Sequence, residues 1–268
     1  MFHKINNSEY WVEITGEEGP PLVLLHGFTG STRTWDRVLR ELSPMPFQVV
    51  TVDLPGHGRT RYGEKLLTME KCCADLNMLF DILGLENVTL AGYSMGGRTA
   101  LSHACLYPKD VDKLLLESSS PGLGTEHERQ QRMESDERLA RKIEKEGIRS
   151  FVNFWENVPL FESQRNLPGV IQQEVRTERM NQTPHGLALS LRGMGTGRQP
   201  SWRDHLQNLN CPVKLVAGEK DNKFICINEE MKNSLSNASL TVIPNTGHAV
   251  HVERPRVLAE IIMDFMLE

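Results

Sequence analysis

Gly92-Tyr93-Ser94-Met95-Gly96-Gly97 follows directly on the apolar run Val88-Thr89-Leu90-Ala91. A serine with glycines two residues before and two after, set between a buried strand and a helix, predicts a tight turn. A Cβ at either glycine would crowd the backbone, and the turn forces the serine hydroxyl into an exposed, strained position. The pentapeptide by itself is a weak signal, and its setting gives it weight. A turn of this kind needs a strand whose carboxyl end opens onto a helix N-terminus.

The rest of the chain supplies that context. Residues 9–14 alternate as an edge strand would, while Pro21–Leu25 and Phe47–Val52 are short continuous apolar runs, the pattern of strands buried on both faces. A helical stretch lies near Thr34–Leu42. Another spans 68–83, with Met69, Cys72, Leu76, Leu79 and Leu83 at helical spacing and Gly84 as its C-cap. The Ser94 strand, its helix to about Tyr107, and a strand at Val111–Leu116 continue the alternation. Further strands are expected at Pro212–Ala217 and Ala238–Ile243, and an amphipathic helix at Pro255–Met266. This rhythm predicts an α/β fold, a mainly parallel sheet with helices on both faces. Between 121 and 203 the sequence is helical and highly charged, with no convincing strand. Residues 1–120 and 204–268 therefore read as the core and 121–203 as an inserted helical cap.

Composition narrows the class. At 268 residues, 39% hydrophobic and 24% charged, the chain has the makeup of a soluble globular enzyme. A net charge of −5 gives no general reason to expect nucleic-acid or anionic-membrane binding. The first residues lack the apolar stretch of a signal peptide, and no apolar run approaches the roughly 18 residues that span a bilayer. Five cysteines lack metal-type or framework spacing, so reduced thiols and a cytoplasmic location are expected. No metal or organic cofactor is implied, because ligand-type clusters and phosphate-cradling loops are missing from the sequence.

Ligands of open parallel sheets bind beyond the carboxyl ends of the strands. Three predicted strands end there in reactive residues: Ser94, Asp221 in Gly218-Glu219-Lys220-Asp221, and His248 in Asn245-Thr246-Gly247-His248. The order Ser, Asp, His is that of α/β-hydrolases. Serine needs an imidazole to take its proton, and the imidazole needs a carboxylate to fix its tautomer. Glu219 is the competing acid but sits nearer its strand. His251 reads as packing or as a supporting partner, His26 and His57 as loop anchors, and Cys105 as a small core residue. The backbone amides of Phe28 and Met95 are the expected oxyanion donors. Arg98 lies one helical turn after Ser94, on the same face. Its guanidinium would pair with an internal carboxylate, snorkel to solvent, or grip a carboxylate ligand with its planar fork.

Four stretches carry a family resemblance: Leu25-His26-Gly27-Phe28-Thr29-Gly30, Gly92 through Arg98, Gly218-Glu219-Lys220-Asp221-Asn222-Lys223-Phe224, and Gly247-His248 through Pro255. The chain resembles the 2-succinyl-6-hydroxy-2,4-cyclohexadiene-1-carboxylate synthases, MenH-type members of the α/β-hydrolase superfamily. The resemblance extends through Glu128–Arg132, Trp155, Pro159-Leu160-Phe161 and Arg176. It implies a Ser94–Asp221–His248 triad, with Arg98, Arg132 and Arg176 on substrate carboxylates and Tyr93, Trp155 and Phe161 lining the pocket. It also implies a carbon–oxygen lyase of menaquinone biosynthesis that eliminates pyruvate from a small polycarboxylate, and a monomer is expected. The same residues would equally serve a hydrolase of esters, lactones or carbon–carbon bonds, or a hydrolase-fold ligand receptor.

Overall fold

The computed structural model describes residues 1–16, 18–63 and 67–268. Its elements run β1 (Phe2–Ile5), β2 (Ser8–Gly16), β3 (Pro21–Leu25), α1 (Asp36–Leu42), β4 (Gln48–Val52), α2 (Met69–Leu83), β5 (Val88–Tyr93), α3 (Met95–Leu106) and β6 (Val111–Glu117). They continue as α4 (Glu126–Trp155), α5 (Gly169–Met180), α6 (Pro184–Met194), β7 (Val213–Gly218), α7 (Asn222–Ser234), β8 (Ala238–Ile243), α8 (Val250–Glu253) and α9 (Pro255–Leu267). Among the described residues the strands form one sheet in the order β1-β2-β4-β3-β5-β6-β7-β8. β1 and β2 pair antiparallel, as do β2 and β4, and the remaining neighbours are parallel.

The apolar runs become strands because both sheet faces are covered. One face packs with α2 and α3, through Val23, Leu25, Leu76, Leu90, Leu101 and Leu114. The other packs with α1 and α9, through Leu22, Leu24, Val38, Leu115, Leu258 and Ile262. Every residue of β5 is buried, which is why it reads as a continuous rather than an alternating segment. Gly84 ends α2 at φ 65°, a left-handed cap that leaves the helix without strain.

The sequence reading missed β1. Its signal is the pair Asn6-Asn7, which closes a two-residue hairpin with Ile5 opposite Ser8 and Asn6 at φ 53°. Asn6 Nδ2 and Tyr10 Oη donate to the buried Asp75 carboxylate at 2.9 and 2.7 Å, fastening the hairpin to α2.

Between β6 and β7 the chain leaves the sheet for α4, α5 and α6. Ala140, Ile143, Phe151, Val152, Leu187, Ala188 and Leu191 form their own apolar cluster, against which Phe28 and Trp155 also pack. No helix among the described residues is long and apolar enough to cross a membrane.

Two imidazoles lie in the loops above β3 and β4. His26 Nε2 accepts from the Leu54 amide at 2.9 Å and its Nδ1 donates to Gly27 O at 2.8 Å, which requires the neutral ring. Burial pushes His26 down to about 4. Burial, with His26 adding to it, pushes His57 down to about 3. Both folded values lie below the ordinary 6.5, so the unfolded chain binds more protons once the pH falls below that point. Their contribution to stability is complete above pH 6.5 and is lost as the pH falls toward 4. Each should remove about 1.4 kcal/mol per pH unit in that window. Urea denaturation at pH 7 and pH 5 should therefore show a smaller pH loss in His57→Asn than in the parent protein. Equal losses in the two proteins would contradict the neutral assignment.

Candidate active site

Ser94 stands at the junction of β5 and α3 with φ 51° and ψ −104°. This strained conformation persists only because its surroundings permit no other. A Cβ on Gly92 would overlap the Gly96 carbonyl, and one on Gly96 would overlap the carbonyl oxygens of Leu25 and His26. A Cβ on Gly97 would lie 2.7 Å from the Ser119 Cβ. α3 thus presses directly on the ends of β3 and β5. The Ser94 amide donates to Glu117 O at 2.8 Å, tying the turn to β6.

Asp221 follows β7 and His248 follows β8, so two adjacent parallel strands deliver them side by side. His248 Nδ1 lies 2.6 Å from Asp221 Oδ2, and His248 Nε2 lies 3.2 Å from Ser94 Oγ. With Nδ1–H donated to the carboxylate, Nε2 is free to take the Ser94 proton. The loops holding the pair are laced together. Lys220 N donates to Thr246 O at 2.8 Å, and Gly247 N donates to Glu253 Oε2 at 3.0 Å. Ser163 Oγ, from the inserted segment, donates to Glu253 Oε1 at 2.7 Å. Glu219 accepts from the Asn245 amide at 2.7 Å and is occupied in that loop.

A cavity of about 510 Å³ opens over Ser94 and His248. Phe28, Tyr93, Met95, Trp155 and Phe161 line it, as do Arg98 and Arg132. Met95 is the first residue of α3, and Ser94 caps no amide there with its side chain, so the Met95 N–H belongs to the helix's unpaired donors. The buried Trp155 Nε1 has no hydrogen-bond partner among the described residues.

The charged lining is one-sided. Arg98, Arg132, Arg203 and Lys223 stand against Asp136 among the described lining residues. Asp136 is held by Arg132 Nε at 2.8 Å, and Arg203 pairs with Glu230 at 2.9 Å. Arg98 has no carboxylate within 4 Å among the described residues. Its Nη1 donates instead to Met194 O at 2.9 Å and to the side-chain oxygen of Gln199. Burial, reinforced by Arg132 and opposed by Asp136, pushes the Arg98 guanidinium down to about 9. The physical content of that shift is a desolvated cation held without a counterion.

Arg176 does not line this cavity. It pairs with Glu156 at 2.5 Å, also donates to Asn153, and lines an adjoining groove together with Phe161 and Arg179. Three residues later, on the neighbouring face of α5, Arg179 is 6% exposed. Its guanidinium lies 4.6 Å over the Phe161 ring, donates to Gln164 at 3.3 Å, and meets no carboxylate within 4 Å among the described residues. Arg179 borders a second cavity of about 780 Å³ that shares Phe28, Tyr93 and Phe161 with the first.

His251 does not compete with His248 as a base. Its Nδ1 lies 2.8 Å from Glu117 Oε1, which also accepts its backbone amide at 3.1 Å. Its ring packs 4.3 Å from Tyr93. Cys105, in the last turn of α3, is half-buried against the core cluster. No group of three or more His, Cys, Asp or Glu side chains with metal-holding geometry occurs among the described residues.

Comparison with known proteins places this geometry. The model of the alpha/beta hydrolase fold family matches residues 20–255. The chain is 42% identical, over 93% of both chains, to a Bacillus subtilis (strain 168) protein assigned as a 2-succinyl-6-hydroxy-2,4-cyclohexadiene-1-carboxylate synthase. It is 32% identical to the Enterobacter sp. (strain 638) synthase of the same name, covering 94% of this chain and 93% of that one. Its structure superposes on MenH from S. aureus with a TM-score of 0.90, at 35% identity and over 98% of each chain. An esterase from Thermogutta terrifontis with malate bound superposes with a TM-score of 0.86, at 26% identity, over 99% of this chain and 98% of that one. The chain belongs to the 2-succinyl-6-hydroxy-2,4-cyclohexadiene-1-carboxylate synthase family of α/β-hydrolases.

The close approach beneath Ser94 has a direct consequence for stability. Gly96→Ala should lower the unfolding free energy by roughly 3 kcal/mol or more, because its methyl group meets rigid backbone rather than a movable side chain. Chemical denaturation measures this, and a variant as stable as the parent would contradict the packing.

Proposed function

We propose that this chain is a carbon–oxygen lyase of menaquinone biosynthesis. It eliminates pyruvate from 2-succinyl-5-enolpyruvyl-6-hydroxy-3-cyclohexene-1-carboxylate to give 2-succinyl-6-hydroxy-2,4-cyclohexadiene-1-carboxylate. The observation that carries this reading is the coincidence of a Ser94–His248–Asp221 relay with an uncompensated cationic cavity in a chain of net charge −5. A neutral ester would gain nothing from the Arg98 guanidinium held without a counterion, whereas a polycarboxylate supplies the missing partner.

Substrate and product differ in where their double bonds lie, and that difference sets the electron flow. The proton at ring carbon 2 leaves to the Ser94–His248 pair, and its bonding electrons form the C2–C3 double bond. The C3–C4 double bond moves to C4–C5. The C5–O bond breaks, and its electrons leave on the enolpyruvyl oxygen, which becomes pyruvate on protonation at carbon. Carbon 2 bears the succinyl ketone, so negative charge develops on that ketone oxygen as the proton departs. The amides of Met95 and Phe28 are the donors we assign to it, a role in which one hydrogen bond supplies around 3 kcal/mol in well-studied enzymes. Asp221 keeps His248 in the tautomer that accepts the Ser94 proton and stabilises the imidazolium that follows.

Arg98 and Arg132 are assigned to the carboxylates from this cavity and Arg179 from the adjoining one, with Tyr93, Trp155 and Phe161 as walls. Residues 121–203 act as a cap. It carries Arg132, Trp155, Phe161 and Arg179, so the substrate is gripped between cap and core.

Pyruvate release from the enolpyruvyl substrate, followed with a coupled lactate dehydrogenase assay, tests the assignment. Ser94→Ala should lower kcat by about 1,000-fold or more. Activity equal to the parent would remove Ser94 from the chemistry. Arg179→Met should raise KM by about tenfold, the effect of one lost charge-assisted hydrogen bond, while Arg176→Met should leave it within about twofold. The reverse ranking would return the role to Arg176.

A further inference from the structure

We propose that Gln199 is the positioning residue of Arg98, a neutral acceptor that aims the guanidinium into the reactive cavity without cancelling its charge. The inference rests on the lyase reading for its kinetic consequence, but it arises from geometry around a residue that lies outside the cavity lining.

Gln199 lies beyond α6 on the chain's return to the core and is 1% exposed. Its amide N–H donates to Gly195 O at 3.1 Å, which closes a turn directly after the helix. Its side-chain oxygen and Met194 O both receive Arg98 Nη1. Nε and Nη2 of Arg98 are left without a protein acceptor among the described residues, and Arg98 lines the cavity. The tether therefore occupies one edge of the planar fork and leaves the rest for a ligand, as bidentate carboxylate recognition requires.

The chemistry of the tether is unexpected on stability grounds alone. Gln199 Nε2 is buried without a hydrogen-bond partner among the described residues. It lies close to Gly122, where a Cβ would sit 2.9 Å from it. A glutamate of the same shape would forfeit no hydrogen bond made by that nitrogen. It would also give Arg98 the counterion that every other guanidinium of the cavity lining has, since Arg132 has Asp136 and Arg203 has Glu230. Orientation without neutralisation is what the amide provides and the carboxylate does not. Arg98 is also fixed from below. Its own carbonyl accepts from Ser102 Oγ at 2.7 Å, and Ser102 Oγ in turn accepts from Trp202 Nε1 at 2.7 Å. Trp202 belongs to the same returning segment as Gln199, so one stretch of chain holds both ends of the residue.

Two substitutions separate positioning from simple structural support. Gln199→Glu should unfold at higher urea than the parent, yet raise KM for the enolpyruvyl substrate by about tenfold or more, with kcat changed less than about threefold. Gln199→Met, which removes the acceptor, should also raise KM but unfold at lower urea. A purely structural residue would move stability and KM together in both variants. The gain in Gln199→Glu should vanish when Arg98 is also replaced by Met, as a double-mutant cycle shows. Unchanged KM in Gln199→Glu, or a stability gain that persists without Arg98, overturns the proposal. The denaturation cycle needs no turnover. If the parent protein releases no pyruvate, the lyase reading fails, while the cycle still decides whether Gln199 tethers an uncompensated Arg98.

Discussion

The structure depends on a close approach between backbones. The glycines at 92 and 96 let α3 sit against the carboxyl ends of β3 and β5 with no side chain between them. That contact drives Ser94 to φ 51° and turns its hydroxyl away from the sheet. The strain at Ser94 is small beside the apolar burial that enforces it, for every residue of β5 and all but the last two of α3 lie inside the protein. The rest of the site follows from parallel topology. β7 and β8 lie in sequence beyond β6 and end at the same edge, so their loops bring Asp221 and His248 to the serine.

On this frame the electrostatics are arranged by omission. Most charged residues of the inserted helices are paired, as where Arg192 bridges Glu137 and Glu144 between α4 and α6. Arg98 and Arg179 are the contrast. Both are buried, both are held by neutral amide side chains, and burial lowers the proton affinity of both. A buried charge without a counterion is unstable unless something supplies one. An anionic substrate does so on binding, and the free-energy gain falls at the place where the ring must be aligned with Ser94. A site of this kind favours polycarboxylates without any need for a tight fit around their hydrocarbon parts.

The core of the fold was legible because its signals are local. Buried strands are continuous apolar runs, α2 ends in a glycine at the helix boundary, and the serine turn announces itself by glycines whose Cβ positions are occupied by backbone. The residues at the ends of β5, β7 and β8 could be named for the same reason. What the sequence hid depends on which way a charged helix faces. Arg179 was not singled out, because it lies three positions from Arg176 on a segment with little apolar patterning, and only its packing over Phe161 sets it apart. Gln199 carried no signal at all, because a polar residue in a turn is ordinary until a buried arginine is found against it. β1 was overlooked although Asn6-Asn7 marks its hairpin. The Glu117–His251 pair was half visible, since the spacing marked His251 as a supporting residue while its partner lay at the end of a distant strand.

The central claim is that a serine activated by His248 starts the reaction by removing a proton from carbon. The most direct measurement is kcat/KM for the enolpyruvyl substrate carrying deuterium at ring carbon 2, compared with the protiated compound. A primary isotope effect in the parent enzyme, with pyruvate as product, is the result this account predicts. Equal rates for the two substrates, together with a covalent adduct on Ser94, would show instead that the hydroxyl attacks as a nucleophile and that the site performs a different reaction.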